Sequence, residues 1–254
     1  MRNILAIANK ELRSYFMSPI AYIVIGFFAL LYGFFFFIAL RVFVGQSMQA
    51  GLMGGAQSMN VNQQLIRPVF QNVTVVALFL LPMITMRTYS EEMRSGTIEL
   101  LLTSPITDFE IVMGKFLGAM GLYLSMLAIT VIHMGLLFAF GRPEWKPIVT
   151  AYLGFVLFGA CFLSLGLFIS SLSKNQIVAG TVTFAVFLFL WIISWIGSFW
   201  PAAEKLATYL SIIDHFDDFT KGVIDTSHLI YYLSFITFGL FLTAKAVETE
   251  RWRG

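Results

Sequence analysis

Six stretches of this chain contain no Asp, Glu, Lys or Arg: Ser14–Leu40, Val69–Met86, Phe116–Gly141, Pro147–Ser173, Asn175–Ala203 and Thr226–Ala244. Each reaches about 18 residues or more, the length at which an apolar segment crosses a bilayer as a helix. The expected fold is therefore all-α and integral to the membrane, with six transmembrane helices in one domain over residues 1–254. Hydrophobic residues make up 58% of the chain and charged residues 12%, and the mean hydropathy is +0.83. Those values exclude a soluble core. A net charge of +2 without a basic cluster gives no argument for nucleic acid as a partner, and none is expected. The first apolar run begins after Pro19, continues past Leu40 and lacks a small-residue cleavage site, so it reads as a span rather than a signal peptide. The lone Cys161 lies in an apolar run and supports no disulfide.

Ahead of the first span, Ile4, Leu5, Ala8, Leu12, Tyr15 and Phe16 share one helical face, and Arg2, Lys10 and Arg13 lie on the other. With no soluble core for the apolar face, residues 1–18 are expected to lie in the membrane interface as an amphipathic helix stopped at Ser18-Pro19. Pro68 suits the first turn of the second span, and Pro82 should kink its inner end. The outer segment Val44–Gln71 is rich in Gly, Gln and Met and is expected to be flexible at its centre. Between spans five and six, residues 201–225 suggest two short outer-face helices, the second stopped by Gly222.

Basic residues set the orientation. With the N-terminus inside, Arg2, Lys10, Arg13, Arg87, Arg94, Lys115, Lys174, Lys245, Arg251 and Arg253 face the cytoplasm, against Arg41, Arg67, Arg142, Lys146, Lys205 and Lys221 outside. Both termini and the loop at residues 88–108 are then cytoplasmic.

That loop is the most densely charged part of the chain, and it is patterned as short helices. Ser90 is expected to cap one helix carrying Glu91 and Glu92, and Gly96 to stop it. Thr97 is expected to cap a second, with Glu99 near its start, running to Leu102 and ending at Ser104-Pro105. Thr107 with Glu110 forms a capping box for the next long helix. Caps and breakers at every joint describe a rigid loop on which another protein can push.

Self-powered chemistry is missing from the pattern. Gly114-Lys115 is followed by Phe116 and lacks the upstream glycine of a phosphate-binding loop. No hydrolase or zinc motif is present, and no acidic residue lies at mid-depth in a span to serve a proton- or sodium-coupled carrier. His215 with Asp214, Asp217 and Asp218 suggests a metal site, against which stands the adjacency of the two last aspartates on one helix. Met48, Met53 and Met59 are too irregularly spaced for a copper site. His133 reads as a packed, hydrogen-bonded histidine within span three.

The run Glu91-Glu-Met-Arg-Ser-Gly-Thr-Ile-Glu-Leu-Leu-Leu-Thr-Ser-Pro105, followed by Gly114-Lys115, resembles the coupling-helix region of ABC-2 class ABC transporter permeases. Ser18-Pro-Ile-Ala-Tyr22 and the stretch His215–Asp225 resemble bacterial permeases related to the gliding-motility-associated ABC transporter. The resemblance implies a non-catalytic exporter subunit of the bacterial inner membrane, and spans without a charged binding site point to an apolar or amphipathic substrate. It implies pairing with a second permease copy as a homodimer and with two cytoplasmic ATPase subunits, which hold ATP and Mg while this chain holds no cofactor. Carried onto this sequence, Glu91, Glu92, Arg94, Gly96, Thr97, Glu99, Leu100, Leu101 and Leu102 would contact the ATPase, with Arg87 and the N-terminal helix nearby. The competing placement of the leucines is against the inner ends of the chain's own spans. Two other functions fit the topology: a mechanical transmitter that acts on a periplasmic partner without moving substrate, and a self-sufficient oligomeric channel. The channel is disfavoured because no span carries an obvious polar stripe.

Overall fold

The structure, a computed structural model, describes residues 1–52 and 60–253. Every regular element among them is helical. In chain order these are α1 (Arg2–Met17), α2 (Pro19–Leu52), a π-helical turn (Asn62–Ile66) leading directly into α3 (Arg67–Thr85), α4 (Ser90–Ser95), α5 (Thr97–Leu102), α6 (Asp108–Phe140), α7 (Trp145–Ser170), α8 (Gln176–Phe199), a 3₁₀ turn (Pro201–Ala203), α9 (Glu204–Leu210), α10 (Ile212–Thr220) and α11 (Thr226–Arg253). Six helices, α2, α3, α6, α7, α8 and α11, are long and apolar enough to cross a bilayer. The chain is a multi-pass membrane protein.

The expected breaks fall where local chemistry puts them. Pro68 sits in the first turn of α3, and α3 ends three residues past Pro82, after which the chain passes through turns to Tyr89. Thr107 caps α6: the Glu110 amide donates to Thr107 Oγ1 at 3.3 Å, and the Thr107 amide donates to Glu110 Oε2 at 3.2 Å. The segment expected to be an outer loop, Val44–Gln71, is largely helical on both sides, because α2 runs on through Leu52 and helix resumes at Asn62. Asn62 clamps the α6–α7 connector, donating from Nδ2 to Glu144 O at 2.7 Å and accepting from the Glu144 amide at 2.9 Å. Met53 and Met59 lie outside the described residues.

α7 is buried along most of its length, whereas only 28% of the spanning part of each of α2, α8 and α11 is buried. Phe155, Phe158 and Phe162 project from α7 and pack edge-on or tilted against Phe216 of α10 and Phe187 of α8. Aromatic contacts of this kind add specific geometry to dispersion within the bundle. α10 thus docks into the bundle as an anchored cap, and Thr150 Oγ1 of α7 donates to Phe219 O at its end at 2.8 Å. Gly222 follows with a φ of +88°, the left-handed stop expected from its type.

The N-terminal helix differs from expectation. The residues of α1 that become buried are Ile7 and Glu11, and Leu5 stays 65% exposed. Its partner is the first half of α6, where Gly114 and Gly118 leave room for Ile7 and Glu11. A Cβ on either glycine would stand 2.6 Å from those side chains. The missing soluble core is supplied by a groove along span three, on which α1 is seated.

Candidate functional site: the loop end of the bundle

Both termini meet the loop between α3 and α6. Lys10 Nζ lies 2.7 Å from Glu92 Oε1. At the other terminus, Arg251 Nη2 lies 2.8 Å from Asp108 Oδ1 and donates to Ile106 O at 3.1 Å. α1, the loop and the end of α11 therefore form one end of the bundle.

The loop is two short helices joined by Gly96 at a φ of +73°, in the left-handed region. Its capping differs from the local reading. Tyr89, not Ser90, precedes α4, and the capping oxygen comes from the far end of α7. Ser170 Oγ accepts from the Tyr89 and Ser90 amides at 3.1 and 3.2 Å, and Ser90 Oγ donates to Ser170 O at 3.0 Å. Thr97 is not the cap of α5 either; Gly96 holds that position, and Thr97 Oγ1 pairs with Ser95 Oγ at 2.9 Å.

Beneath α4 lies a buried charge cluster. Lys115 is fully buried; its Nζ stands 3.0 Å from Glu11 Oε1 and 2.7 Å from Glu92 Oε2, and donates to Thr88 O at 2.9 Å. The same ammonium lies 5.0 Å from the centre of the buried Tyr89 ring, a cation–π contact. Lys10 adds a second cation at 3.1 Å from Glu11. Burial works against the Lys10 ammonium, but its hydrogen bond to Glu92 and the charges of Glu11 and Glu92 outweigh it and raise its pKa. Two carboxylates and two ammoniums thus balance one another across α1, α4 and α6. Buried charges persist when each has a partner and a hydrogen bond.

The residues singled out from sequence divide into two sets. Glu92 points inward as a member of the cluster, Leu101 and Leu102 are partly buried against the core, and the neighbouring Ile98, which was not singled out from the sequence, is buried. For these two leucines, packing on the chain's own body is what the structure shows. Glu91, Arg94, Gly96, Thr97, Glu99 and Leu100 are exposed. Leu100, at 74% exposure, is the apolar side chain that stands out from this surface. A cleft of about 370 Å³ opens beside it between Ile98, Glu99 and Leu102 on one wall and Lys174, Glu250 and Arg251 on the other. Arg87 does not reach the cluster; its guanidinium grips Glu91 through two bonds of 2.9 and 3.1 Å.

Glu11, Lys115 and Ser170 were not singled out as site residues from the sequence, although Lys115 is uncommon in lying only a few residues inside a long apolar helix. At the opposite end, the suggested metal set separates. Asp217 pairs with Arg67 at 2.8 Å, and His215 turns inward to His228, with 2.6 Å between their Nδ1 atoms. No group of three metal-ligating side chains occurs among the described residues. His133 packs edge-on between Tyr32 and Phe36, and its buried Nδ1 has no hydrogen-bond partner among the described residues.

Comparison with known proteins agrees with the architecture. The family profile described as "ABC-2 family transporter protein" matches residues 5–247. Two curated proteins, each described as "Probable multidrug ABC transporter permease YbhR", from Escherichia coli strain K12 and from E. coli O157:H7, are 27% identical to this chain over 146 residues. The match covers 55% of this chain and 38% of each relative.

Proposed function

This chain belongs to the ABC-2 family of transporter proteins, and on that premise we propose that it is the membrane subunit of an ATP-driven exporter, worked by separate ATPase subunits docked on α4 and α5. The observation that carries the reading is the contrast around Leu100. Its own side chain is bare, while its helix is seated on the body through the buried Ile98, and α4 before it is tied down through Glu92 and the Ser170 cap. Burying Leu100 on a partner would contribute about 1.5–3 kcal/mol, and Glu91, Arg94 and Glu99 supply a charged rim that selects the partner.

A push on α5 has short routes inward. Through Gly96 it reaches α4, through Glu92 and Lys115 it reaches α1 and α6, and through Ser170 it reaches α7. The ATPases, two per complex, hold ATP and Mg²⁺ and do the hydrolysis. The permease pairs with a second copy through span faces left exposed on α2 and α8. The loop end faces the cytoplasm of a bacterium, and the membrane is the inner one. The substrate is apolar or amphipathic, in keeping with the charge-free spans and with the "multidrug" in the relatives' description.

The test is co-purification from native membranes followed by ATPase assay. Leu100→Asp and Glu99→Lys are expected to leave the permease's thermal unfolding unchanged, lose the ATPase on purification and abolish its stimulation. Retention of a normally stimulated ATPase by both variants would move the docking surface elsewhere.

A further inference from the structure

Beside the charge cluster, and sharing Lys10 with it, an open cleft of about 650 Å³ is lined by Asn9, Lys10, Arg13, Ser14, Ser18 and Arg87, with Ala6 and Met17 completing its wall. We propose that this cleft binds the phosphate of an anionic membrane lipid.

Three cations and several neutral donors converge there, and no carboxylate is among the lining residues. Two of the cations are already engaged from behind, Lys10 by Glu11 and Glu92 and Arg87 by Glu91. Arg13 has no anionic partner among the described residues. A planar guanidinium beside an ammonium and serine hydroxyls matches the oxygen acceptors of a phosphate.

Depth selects the source. Arg13 is the last charge before the charge-free run Ser14–Leu40, and Arg87 is the first charge after Val69–Met86. The Tyr15 hydroxyl binds these two boundaries together, donating to Ile84 O at 3.2 Å. The cleft therefore sits where the hydrocarbon ends and headgroups begin. Met17 in its wall is 86% exposed, and Tyr22 and Ile23, in the turn of α2 that follows Ser18, are 62% and 61% exposed. This apolar surface begins at the cleft and forms a track for the acyl chains of a lipid held by its phosphate. A soluble phosphate or an acidic protein surface would make no use of that track.

The experiment is native mass spectrometry of the delipidated protein in dodecyl maltoside, titrated with dioleoylphosphatidylglycerol or dioleoylphosphatidylcholine. Wild type and Arg142→Gln, whose exposed charge lies at the opposite end of the bundle, are expected to retain phosphatidylglycerol in preference. Arg13→Gln is expected to weaken that retention about fivefold, the effect of one cation near an anionic surface, and Arg13→Lys to restore part of it. Thermal unfolding of Arg13→Gln is expected to match wild type, since the side chain holds nothing else. Equal retention of the two lipids, or equal loss in Arg13→Gln and Arg142→Gln, would reduce the effect to general charge attraction and overturn the site. Displacement of the lipid by millimolar glycerol 1-phosphate would keep the phosphate site but overturn its lipid source. Unchanged lipid retention in Arg13→Gln together with loss of ATPase capture would make the cleft a protein contact and end the proposal.

Discussion

Glu11 and Lys115 meet at 3.0 Å although they stand on different helices, Lys115 fully buried and Glu11 only 7% exposed. The pair fastens α1 to span three, and Glu92 fastens the loop to both. Lys115→Met is expected to leave two carboxylates facing each other with only Lys10 between them. Removing one partner from a buried pair costs about 3–5 kcal/mol. Thermal unfolding in detergent reads the loss, and a melting temperature within a degree of wild type would mean that the charges are hydrated and independent.

The seat of α1 depends on what α6 lacks. A methyl on Gly118 would come 2.6 Å from Glu11 Cβ and 3.3 Å from Ala8 O. Both belong to the core of the contact, so the helices must separate. Gly118→Ala is expected to destabilise this contact by about 1–3 kcal/mol, the range for overpacking, and to expose the bond after Arg13 to trypsin. Cleavage there at the wild-type rate would show that α1 can shift without strain.

The end of the bundle opposite the loop carries a pH dependence of defined sign. His215 Nε2 faces Tyr209 O at 3.0 Å and its Nδ1 faces His228 Nδ1 at 2.6 Å. Only one of the two facing nitrogens can carry a proton. Burial lowers the His215 pKa, the charge of His228 lowers it further, and the hydrogen bond to Tyr209 and the charges of Asp214 and Asp218 oppose the shift without cancelling it. Between the folded value and about 6.5, the ordinary value, the unfolded chain binds more protons than the folded one. Stability therefore rises with pH across this window and is lost as pH falls below about 6.5. Asp217 and Asp218 have lowered values: burial opposes the shift at Asp217 but Lys221 and Arg67 outweigh it, and Lys221 and His228 act on Asp218. Their contribution is present above about 3.8 and is lost only below it, outside the histidine window. His215→Phe, which retains the stack on Tyr231 seen at 3.9 Å between centroids, is expected to flatten the melting temperature between pH 7 and 5.

What the sequence made legible was local. Six charge-free runs gave six spans, Thr107 with Glu110 gave the start of α6, and Gly96 and Gly222 gave two stops, because each depends on residues a few positions apart. What it hid was long-range. Ser170 caps a helix 80 positions earlier in the chain, and Glu11 finds Lys115 across 104. Nothing in hydrophobic period or cap preference encodes such a pairing. In the sequence, the loop between α3 and α6 therefore reads as a uniform surface of charges and leucines. Its division into an inward set, Glu92, Leu101 and Leu102, and an outward set around Leu100 required the body it packs on.

Gly96 joins the two short helices that carry those sets, and its conformation can be tested apart from its surroundings. A side chain there would meet nothing within 4 Å, yet the φ of +73° is one that branched residues avoid. The cost of Gly96→Val is therefore in the backbone alone, about 1–2 kcal/mol. That is small against the ties that hold α4, so the bundle should remain folded while α5 changes its angle to α4. Stimulated ATPase activity of the reconstituted complex is expected to fall in Gly96→Val and to recover in Gly96→Asn, since asparagine tolerates the left-handed region. Equal activity in the two variants would show that the angle between the short helices does not govern coupling.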